Sequence, residues 1–357
     1  MMSISALASS INRKLRILLL AGGRSDEHQV SILSARSIRE AALNSPHLEM
    51  RLQVITREGN WLSEVDSETA MSAGSASGGG RSTFSEQKLL AWCDIVFPAL
   101  HGPYGEDGAM QGFLELANKP YVGSGVLASA LCMDKPMSKE VLRSNNAIPL
   151  VNYVMFTRNE YEADAERIHE RIVELKPPWF VKPANLGSSV GVSKINSAEL
   201  LHVGIRKGLH YDRRIIVEEG VQNVRELEIA LLGNENVRTS QVGEVTYDSE
   251  FYDYDAKYRT GEAVLHIPAK IPSTVSTRIK LLAVKAYKLL DCAGFARADF
   301  LYESVSQELY FSEINTIPGC TAEASMFPKL WQAEGVNMIE LIETLICLAF
   351  ERHAENK

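Results

Sequence analysis

Two short runs of apolar and aromatic residues, 300–302 and 309–311, constrain the fold of this 357-residue chain most strongly. A polar stretch separates them, and this pattern predicts a β-hairpin. Side chains on a strand alternate between its two faces, so residues two apart share a face. With a turn centred near Ser306, two cross-strand pairs form on one face: Asp299 opposite Glu313, and Arg297 opposite Asn315.

These four side chains predict a site for a cation and an anion. Two carboxylates and an amide oxygen are hard-oxygen ligands of the kind that Mg²⁺ prefers. The arginine beside them indicates that the partner of the metal is an anion, and phosphate fits that description. The alternative is a solvated hairpin face with scattered charges, because acidic residues are common on exposed strands.

Length and composition indicate a globular protein of two or three domains. A chain of 357 residues is too long for one ordinary core, and contents of 45% hydrophobic and 23% charged residues are typical of soluble proteins. The net charge of −8, without a Lys/Arg cluster, argues against a nucleic-acid partner. No stretch approaches the ~20 apolar residues of a membrane span, so we expect no membrane partner.

Two further features predict a cytoplasmic protein. The basic residues near the N-terminus follow the small uncharged residues, which is the opposite of the order in a signal peptide. The five cysteines are scattered and form no Cys-x-x-Cys pair, as expected of buried thiols in a reducing compartment.

The N-terminal part has the pattern of an open α/β sheet. Residues 16–21 form an apolar run typical of a buried parallel strand, and Gly22-Gly23 leads into a helix that Ser25 or Asp26 can cap. We expect an N-terminal domain over residues 1–125, a small central domain over 126–220 and a C-terminal domain over 221–357. Further predicted strands cover 52–55, 94–97, 179–182, 214–218 and 227–232, and predicted helices cover 135–144, about 276–290 and the segment from about 337.

A Gly-Ser-Ser-Val-Gly segment at 187–191 has the composition of a phosphate-binding loop. Glycines let backbone N–H groups approach a phosphate, Ser188 and Ser189 add donors, and Lys182 can supply a cation. An ordinary turn between strands explains the segment equally well. It lacks the Gly-Lys-Ser/Thr of a Walker A loop, and the glycines at 22–23 lack the dinucleotide fingerprint.

The apolar strand that ends near Glu218 can border a nucleotide. Exposed backbone after such a strand can pair with an adenine edge, and Glu226 can hold ribose hydroxyls. Taken alone, the pattern is more typical of an exposed strand end. Downstream, residues 251–258 interleave four aromatic residues with two acids and Lys257. This segment is either an amphipathic edge strand or a lid that excludes water and brings Lys257 to a phosphate.

The loop that begins at His101 follows a predicted strand and contains three glycines in eight residues. Open α/β sheets bind ligands at strand ends of this kind. Glu27 lies at the matching position after the first strand, so acids at two strand ends predict a pocket for a cationic group such as an amine. Helix-dipole stabilisation in the first helical turn is an equally weighted explanation for Glu27.

Taken together, the motifs resemble the D-alanine–D-alanine ligase family of the ATP-grasp superfamily. The resemblance runs from about Arg16 to the C-terminal helix. The motifs occur in this order: Gly-Gly-x-Ser-x-Glu27, His101-Gly-x-x-Gly-Glu-Asp-Gly, Met133-Asp-Lys135, Val181-Lys182-Pro, Gly187-Ser-Ser-Val-Gly, Tyr252-x-Tyr-Asp-x-Lys257-Tyr258, Arg297-x-Asp299 and Glu313-x-Asn315-Thr-x-Pro-Gly319.

The resemblance implies an ATP-grasp fold, mixing α/β and α+β parts, with a Rossmann-like N-terminal domain and a homodimeric assembly. It implies a cytoplasmic enzyme of cell-wall synthesis that phosphorylates one D-alanine with ATP and joins it to a second D-alanine. For the amino acids it implies that Glu27 binds the first ammonium with His101 and Ser188, that Arg297 and the Gly319 N–H stabilise the oxyanion, that Tyr258 closes the lid, and that Ser325 binds the second carboxylate. It implies that the phosphates of ATP are contacted by Lys135, Lys182, Ser189 and Lys257. It implies that adenine is contacted by Glu218, Glu219 and Val221, and the ribose by Glu226. It also implies that two Mg²⁺ or Mn²⁺ ions are bound by Asp299, Glu313 and Asn315.

One segment departs from the family pattern, and the acceptor stays open. Residues 320–327 are one longer than the usual segment, so Ser325 is the best match to the serine that holds the second substrate. The related D-alanyl-D-lactate and D-alanyl-D-serine ligases are alternatives, although Tyr258 favours an amine acceptor. Another ATP-grasp ligase or a non-catalytic protein of the same fold would lack some of these motifs.

Overall fold

Three β-sheets organise the residues that the computed structural model describes, which are 3–76, 86–144, 148–246, 264–322 and 324–355. The chain forms them in sequence order, and helices connect and cover their strands. The mixed α/β architecture agrees with the predicted fold class.

The N-terminal sheet is parallel, as the apolar run predicts. Its strands are β1 (Leu15–Gly22), β2 (Leu48–Ile55) and β3 (Ile95–Pro98), in the order β2-β1-β3. Alternate residues of β1 enter two different cores, which explains why the whole run is apolar. The helices of this part are α1 (Ile4–Ser10), α2 (His28–Ala42), α3 (Glu64–Ala73), α4 (Glu86–Trp92) and α5 (Ala109–Leu116).

The start of α2 differs from the prediction. Glu27, rather than Ser25 or Asp26, occupies the N-cap position, and its side chain makes no capping hydrogen bond. Ser25 Oγ instead accepts a hydrogen bond from the Glu27 N–H at 3.1 Å and donates to the His101 carbonyl at 2.6 Å. The Glu27 carboxylate therefore makes its contacts outside the helix.

The central sheet is antiparallel, with strand order β4-β7-β5-β6. The helices α8 (Arg158–Ala163), α9 (Ala165–Val173) and α10 (Leu201–Tyr211) connect its strands, and α9 and α10 contribute buried residues to the core of this sheet. Its strands are β4 (Tyr153–Thr157), β5 (Trp179–Pro183), β6 (Ser193–Ile195) and β7 (Arg214–Glu219), preceded in the chain by α6 (Val126–Met133) and α7 (Lys135–Ser144).

The C-terminal sheet is antiparallel and contains the predicted hairpin. Its order is β10-β9-β8-β11-β12. The strands are β8 (Val224–Leu232), β9 (Arg238–Thr246), β10 (Val264–His266), β11 (Phe295–Glu303) and β12 (Leu309–Asn315), and the helices are α11 (Ser273–Leu289), α12 (Met326–Ala333) and α13 (Met338–Glu355).

A β-bulge interrupts the hairpin between its apolar end and its polar end. Phe300 pairs with Phe311, whereas Asp299 pairs with Glu313, so Ser312 is the additional residue of β12. The bulge reverses the alternation of β12, because Phe311 is buried in the core and Glu313, two residues on, is half-buried on the other face.

The cores cross the predicted domain boundaries. Buried residues of α6 and α7, such as Cys132 and Leu142, share a core with β8 and β11 rather than with the central sheet. Leu341 and Leu345 of α13 share a core with β1. The division into residues 1–125, 126–220 and 221–357 stays a prediction. The packing shows that the N-terminal and C-terminal parts are joined by common hydrophobic contacts.

All five cysteines are buried and free of disulfide bonds. Burial raises the pKa of the Cys320 thiol to about 12 and that of Cys93 to about 11. Within the described ranges, none of the helices combines the length and the apolar character that a membrane span requires.

Candidate active site

The face of the hairpin carries the predicted cross-strand pairs. Asp299 lies opposite Glu313, and Arg297 lies opposite Asn315, so the predicted register is confirmed. Arg297 donates two hydrogen bonds to the carboxylate oxygens of Asp299, at 2.7 and 2.6 Å. Asn315 Nδ2 donates to Asp299 Oδ2 at 3.2 Å. One carboxylate is therefore contacted by both neighbouring polar side chains.

A further carboxylate on β8 contacts the same arginine, and the sequence analysis did not predict it. Glu228 lies opposite Asp299 across the β8–β11 pair, with its Oε2 3.1 Å from Arg297 Nε. Burial by itself lowers the pKa of Arg297, but the Asp299 and Glu228 carboxylates raise that pKa well above its usual value. The guanidinium is therefore charged at any physiological pH. Glu226 and Glu228 lie two residues apart on β8, so their side chains share a face of the strand. This spacing was the sequence signal that could have predicted Glu228 at the site.

The hairpin residues fit a hard divalent cation by the chemistry of their donors. Asp299 and Glu313 supply carboxylate oxygens and Asn315 supplies an amide oxygen. Across the part of the chain that the structure describes, no group of three His, Cys, Asp or Glu side chains forms a metal site by itself. A magnesium site of one or two carboxylates completes its coordination with water and phosphate oxygens.

Lys135 joins the hairpin to the Gly/Ser loop. It begins α7, and its Nζ lies 3.4 Å from Glu313 Oε2 and also donates to the carbonyl of Leu186, the residue before Gly187. The backbone N–H of Lys135 donates to the Ala184 carbonyl at 3.0 Å. The Gly/Ser loop, predicted to contact phosphate, and the hairpin, predicted to bind metal, are therefore both contacted by the Lys135 ammonium.

A buried cluster of two lysines and one glutamate lies beside this site. Glu218 Oε2 is 2.6 Å from Lys182 Nζ, and Glu218 Oε1 is 2.9 Å from Lys139 Nζ. Burial alone raises the pKa of Glu218, but the two ammonium groups outweigh it and lower that pKa to about 2. Burial also disfavours the charged form of Lys182, yet Glu218 raises its pKa overall. Glu218 is therefore an anion held between two cations.

The end of β7 and the start of β8 lie beside this buried cluster. Glu219 accepts a hydrogen bond from Asn152 Nδ2 at 3.0 Å, and its N–H donates to the Asn152 carbonyl at 3.0 Å. Val221 is half-buried in the loop that follows. Glu226 lies on β8, and its negative charge acts on Lys182. The predicted adenine and ribose residues thus lie on two strands, and on the loop between them, next to the buried cluster.

Glu27 reaches the Gly/Ser loop across the boundary between two sheets. The Ser188 hydroxyl donates a hydrogen bond to Glu27 Oε1. Ser188 and Ser189 both adopt positive φ angles, 51° and 60°. Gly102 has a φ of 74°, a left-handed conformation that favours glycine, and a Cβ there would lie 2.7 Å from Glu27 Oε2. The loop at 101–108 and the Gly/Ser loop both approach the same carboxylate.

His101 is buried beneath Glu27 and contacts two other segments. Its Nδ1 lies 3.0 Å from the Ile317 carbonyl, and its Nε2 lies 2.9 Å from Ser34 Oγ. Burial opposes the charged imidazolium, but the carboxylates of Glu106 and Glu27 outweigh burial and raise the pKa of His101. Sequence reasoning predicted His101 and did not predict Ser34 or Glu106 as its partners.

The segment after the hairpin places Gly319 beside Ser325. A Cβ at Gly319 would lie 2.7 Å from Ser325 Oγ, so the glycine leaves the space that the hydroxyl occupies. Ser325 is the N-cap residue of α12, and its Oγ accepts a hydrogen bond from the Thr321 N–H at 3.0 Å. The proximity of these two residues agrees with the register that assigns Ser325 to this site.

Lys257 and Tyr258, together with the rest of the predicted lid, lie outside the described residues.

Comparison with known proteins decides the family. The family description "D-ala D-ala ligase N-terminus" matches residues 16–124, and "D-ala D-ala ligase C-terminus" matches residues 142–347. The chain belongs to the D-alanine–D-alanine ligase family. The D-alanine–D-alanine ligase of Deinococcus radiodurans is 47% identical, with 95% of this chain and 99% of that protein covered. The one from Enterococcus faecalis is 43% identical, with 95% and 99% covered.

Solved structures of the family share this fold. The D-alanine–D-alanine ligase from Coxiella burnetii superposes with a TM-score of 0.78 at 32% identity, covering 96% of each chain. The VanG D-Ala:D-Ser ligase from Enterococcus faecalis superposes with a TM-score of 0.80 at 32% identity, covering 94% of this chain and all of that one. The predicted ATP-grasp fold and the prediction that the chain is a ligase are confirmed. The non-catalytic alternative is set aside, because the relatives that match nearly the whole chain are D-alanine–D-alanine ligases.

Lys139 is a further buried residue beside this ligase-family site that was not predicted from the sequence. It lies four residues after Lys135 on α7, so the two lysines share a helix face, and this spacing was the available signal. A lysine at that position looks like a solvated surface residue until the packing of α7 is known. In the structure, only 1% of Lys139 is exposed.

Proposed function

We propose that this chain joins two D-alanine molecules with ATP and releases D-alanyl-D-alanine, ADP and phosphate, for use in peptidoglycan precursors. The observation that supports this most directly is the position of Lys135, whose ammonium contacts both the Gly/Ser loop and Glu313. A single cation between a phosphate-type loop and a carboxylate-bearing hairpin suits the transfer of a phosphoryl group.

The first step activates a carboxylate. An oxygen of the first D-alanine carboxylate attacks the γ-phosphorus of ATP, the bond to the bridging oxygen breaks, and ADP leaves. Glu27 binds the ammonium of this D-alanine, and Ser188 and His101 hold that end of the substrate. Positioning of the two reactants supplies much of the rate enhancement in such a transfer.

The second step forms the peptide bond. The amine of the second D-alanine attacks the acyl carbon, a tetrahedral oxyanion forms, and the amine loses a proton as phosphate leaves. We infer that Arg297 and the Gly319 N–H stabilise that oxyanion as preorganised donors. Ser325 binds the carboxylate of the second D-alanine, and Tyr258 closes the site over it.

The nucleotide occupies the cleft between the central and C-terminal sheets. Lys135, Lys182, Ser189 and Lys257 contact the phosphates, Glu218, Glu219 and Val221 border adenine, and Glu226 binds the ribose. Asp299, Glu313 and Asn315 would hold two Mg²⁺ or Mn²⁺ ions, which neutralise charge on the phosphate oxygens when bound. Arg297 contacts Asp299, and Lys135 contacts Glu313. We infer that the two carboxylates exchange these side-chain cations for metal ions during the reaction.

Phosphate release tests the proposal. The purified chain is incubated with ATP, MgCl₂ and D-alanine, and phosphate and dipeptide are both measured. We expect equal amounts of phosphate and D-alanyl-D-alanine, and no product with L-alanine. A chain that consumes no ATP in the presence of D-alanine would overturn the proposal.

D-Serine as acceptor is the second candidate, because a D-Ala:D-Ser ligase superposes on this chain as well as a D-alanine–D-alanine ligase does. Parallel reactions with D-alanine plus D-serine or D-lactate decide between them by mass spectrometry of the products. A cytoplasmic location and a homodimer stay predictions, and light scattering of the purified chain tests the second of them.

A further inference from the structure

Lys139 is a buried amine that the proposed chemistry does not use. Its Nζ lies 2.9 Å from Glu218 Oε1 on β7 and donates to the Ser312 carbonyl on β12 at 2.9 Å. It therefore connects the central sheet to the C-terminal sheet at the bulge residue of the hairpin. A fully buried lysine with two fixed partners cannot serve as a mobile phosphate ligand.

Glu218 has two cationic partners, and they differ in what else they contact. Lys182 approaches Glu218 Oε2 at 2.6 Å, lies on β5, and has 19% of its side chain exposed. Lys139 is 1% exposed and anchored to a backbone carbonyl. Only Lys182 is free to exchange its carboxylate partner for a ligand in the cleft.

Such an exchange has a physical cost. Removing one partner of a buried ion pair leaves an uncompensated charge and is strongly unfavourable. Were Lys182 the sole cation at Glu218, its movement to a phosphate would leave that carboxylate buried and uncompensated. With Lys139 in place, Glu218 keeps a cation at 2.9 Å throughout.

We propose that Lys139 is a positioning residue that holds Glu218, so that Lys182 can leave this carboxylate and bind the nucleotide phosphates. The proposal rests on the proposed function in one respect, since it takes Lys182 as a phosphate ligand. The Ser312 carbonyl fixes the ammonium of Lys139 between the two sheets, and this contact keeps it from following Lys182 into the cleft.

Binding of ADP and adenosine without metal ions tests the proposal. In Lys139→Met we expect ADP affinity to fall roughly 10- to 100-fold, the value of one charge-assisted hydrogen bond. Adenosine affinity should stay within about 3-fold of wild type, because adenosine has no phosphate that requires Lys182. Calorimetric titration of the purified full-length chain measures both affinities.

The matched control is Lys119→Met. Lys119 Nζ donates to the Cys93 carbonyl at 3.0 Å in the N-terminal part of the chain, so this variant also removes a lysine–carbonyl contact. It should leave both affinities unchanged. Lys182→Met should lower ADP affinity as Lys139→Met does, and the double variant should lower it no further, because both changes remove the same phosphate contact.

Several outcomes would overturn the proposal. An equal fall of ADP and adenosine affinity in Lys139→Met would indicate a purely structural role, and so would wild-type affinity for ADP. If the Met variant does not fold, Lys139→Gln, which keeps a hydrogen-bond donor, replaces it. A Gln variant that also fails to fold would assign Lys139 to structure alone. Because these titrations need no turnover, a chain that failed to ligate D-alanine would sink the proposed function without deciding this one.

Discussion

The carboxylates of the hairpin and the carboxylate of Glu218 are both neutralised by cations, but in opposite ways. Glu218 is 3% exposed and lies between two lysines. Asp299 and Glu313 are half-buried on the open face of the hairpin, where Arg297 and Lys135 contact them. A buried carboxylate with two cations is fixed in its charge state, whereas half-buried carboxylates can exchange a side-chain cation for a metal ion. The difference separates a carboxylate that keeps one buried cation throughout from carboxylates that we expect to exchange a side-chain cation for a metal ion.

Replacing a hairpin carboxylate should have the largest effect. In Glu313→Gln we expect turnover to fall by about 10³-fold, because metal-assisted charge stabilisation supplies several kcal/mol. Steady-state phosphate release measures the effect. The control is Glu308→Gln, an exposed position at the turn of the same hairpin, which should be neutral. Wild-type turnover in Glu313→Gln would remove the metal-ligand assignment.

Replacing the arginine of the hairpin face should have the next largest effect. In Arg297→Lys the charge remains, but the planar fork that binds Asp299 through two nitrogens is lost. We expect kcat to fall roughly 10²-fold with a smaller change in KM, as for loss of an oxyanion donor.

Arg225→Lys is the matched control for that variant. Arg225 makes the same two-bond contact with Glu244, at 2.7 and 2.6 Å, on the same sheet. If both lysine variants lose turnover equally, the effect belongs to the stability of the sheet and the oxyanion role of Arg297 fails.

Removing the buried charge should act on nucleotide binding and on acid stability. In Glu218→Gln we expect the KM for ATP to rise about 10-fold with little change in kcat, because this carboxylate is proposed to border adenine. Because the folded-state pKa of Glu218 is about 2 and its usual value is 4.5, the ionised carboxylate stabilises the fold above pH 4.5. That stabilisation is lost as the pH falls toward 2.

Urea unfolding at several pH values measures this contribution. The difference in free energy of unfolding between wild type and Glu218→Gln should shrink as the pH falls from 4.5 to 2. A difference that stays constant across this range would mean that Glu218 is not held as an anion.

The smallest effect concerns the acceptor, at a position that only the family resemblance assigns. In Tyr258→Phe we expect a few-fold rise in the share of D-lactate product, because the family resemblance implies that Tyr258 favours an amine acceptor. Product ratios from competing D-alanine and D-lactate, measured from pH 6 to 9, test this. Ratios identical to wild type at every pH would remove Tyr258 from acceptor choice.

Local pattern was sufficient for the hairpin and for most of the elements. The alternation of residues 297–303 and the polar turn predicted which residues face each other, and helix α7 has its predicted bounds of 135 and 144. The order of short motifs predicted the family. These features depend on residues close together in the chain, and their periodicity is visible without coordinates.

The bulge at Ser312 was not predictable from the same pattern. A strict two-residue alternation places Phe311 and Glu313 on one face, yet one of them enters the core and the other the cleft. A turn centred at Ser306 gives the correct pairs at the polar end, Asp299 with Glu313 and Arg297 with Asn315. It gives the wrong pairs at the apolar end, where the bulge shifts the register by one residue. A bulge depends on the partner strand, which the local sequence does not specify.

The sequence by itself determined the parallel N-terminal strand, the hairpin and the residue types that suit phosphate and a divalent cation, because each is a local pattern of polarity. Only the tertiary structure decided that Lys139 is buried and that Glu228 contacts Arg297. It also decided that Glu27 reaches Ser188, a residue 161 positions away in the chain. Burial and ion pairing depend on which distant segments pack together, and a lysine on a helix has the same local pattern whether it meets water or a buried carboxylate.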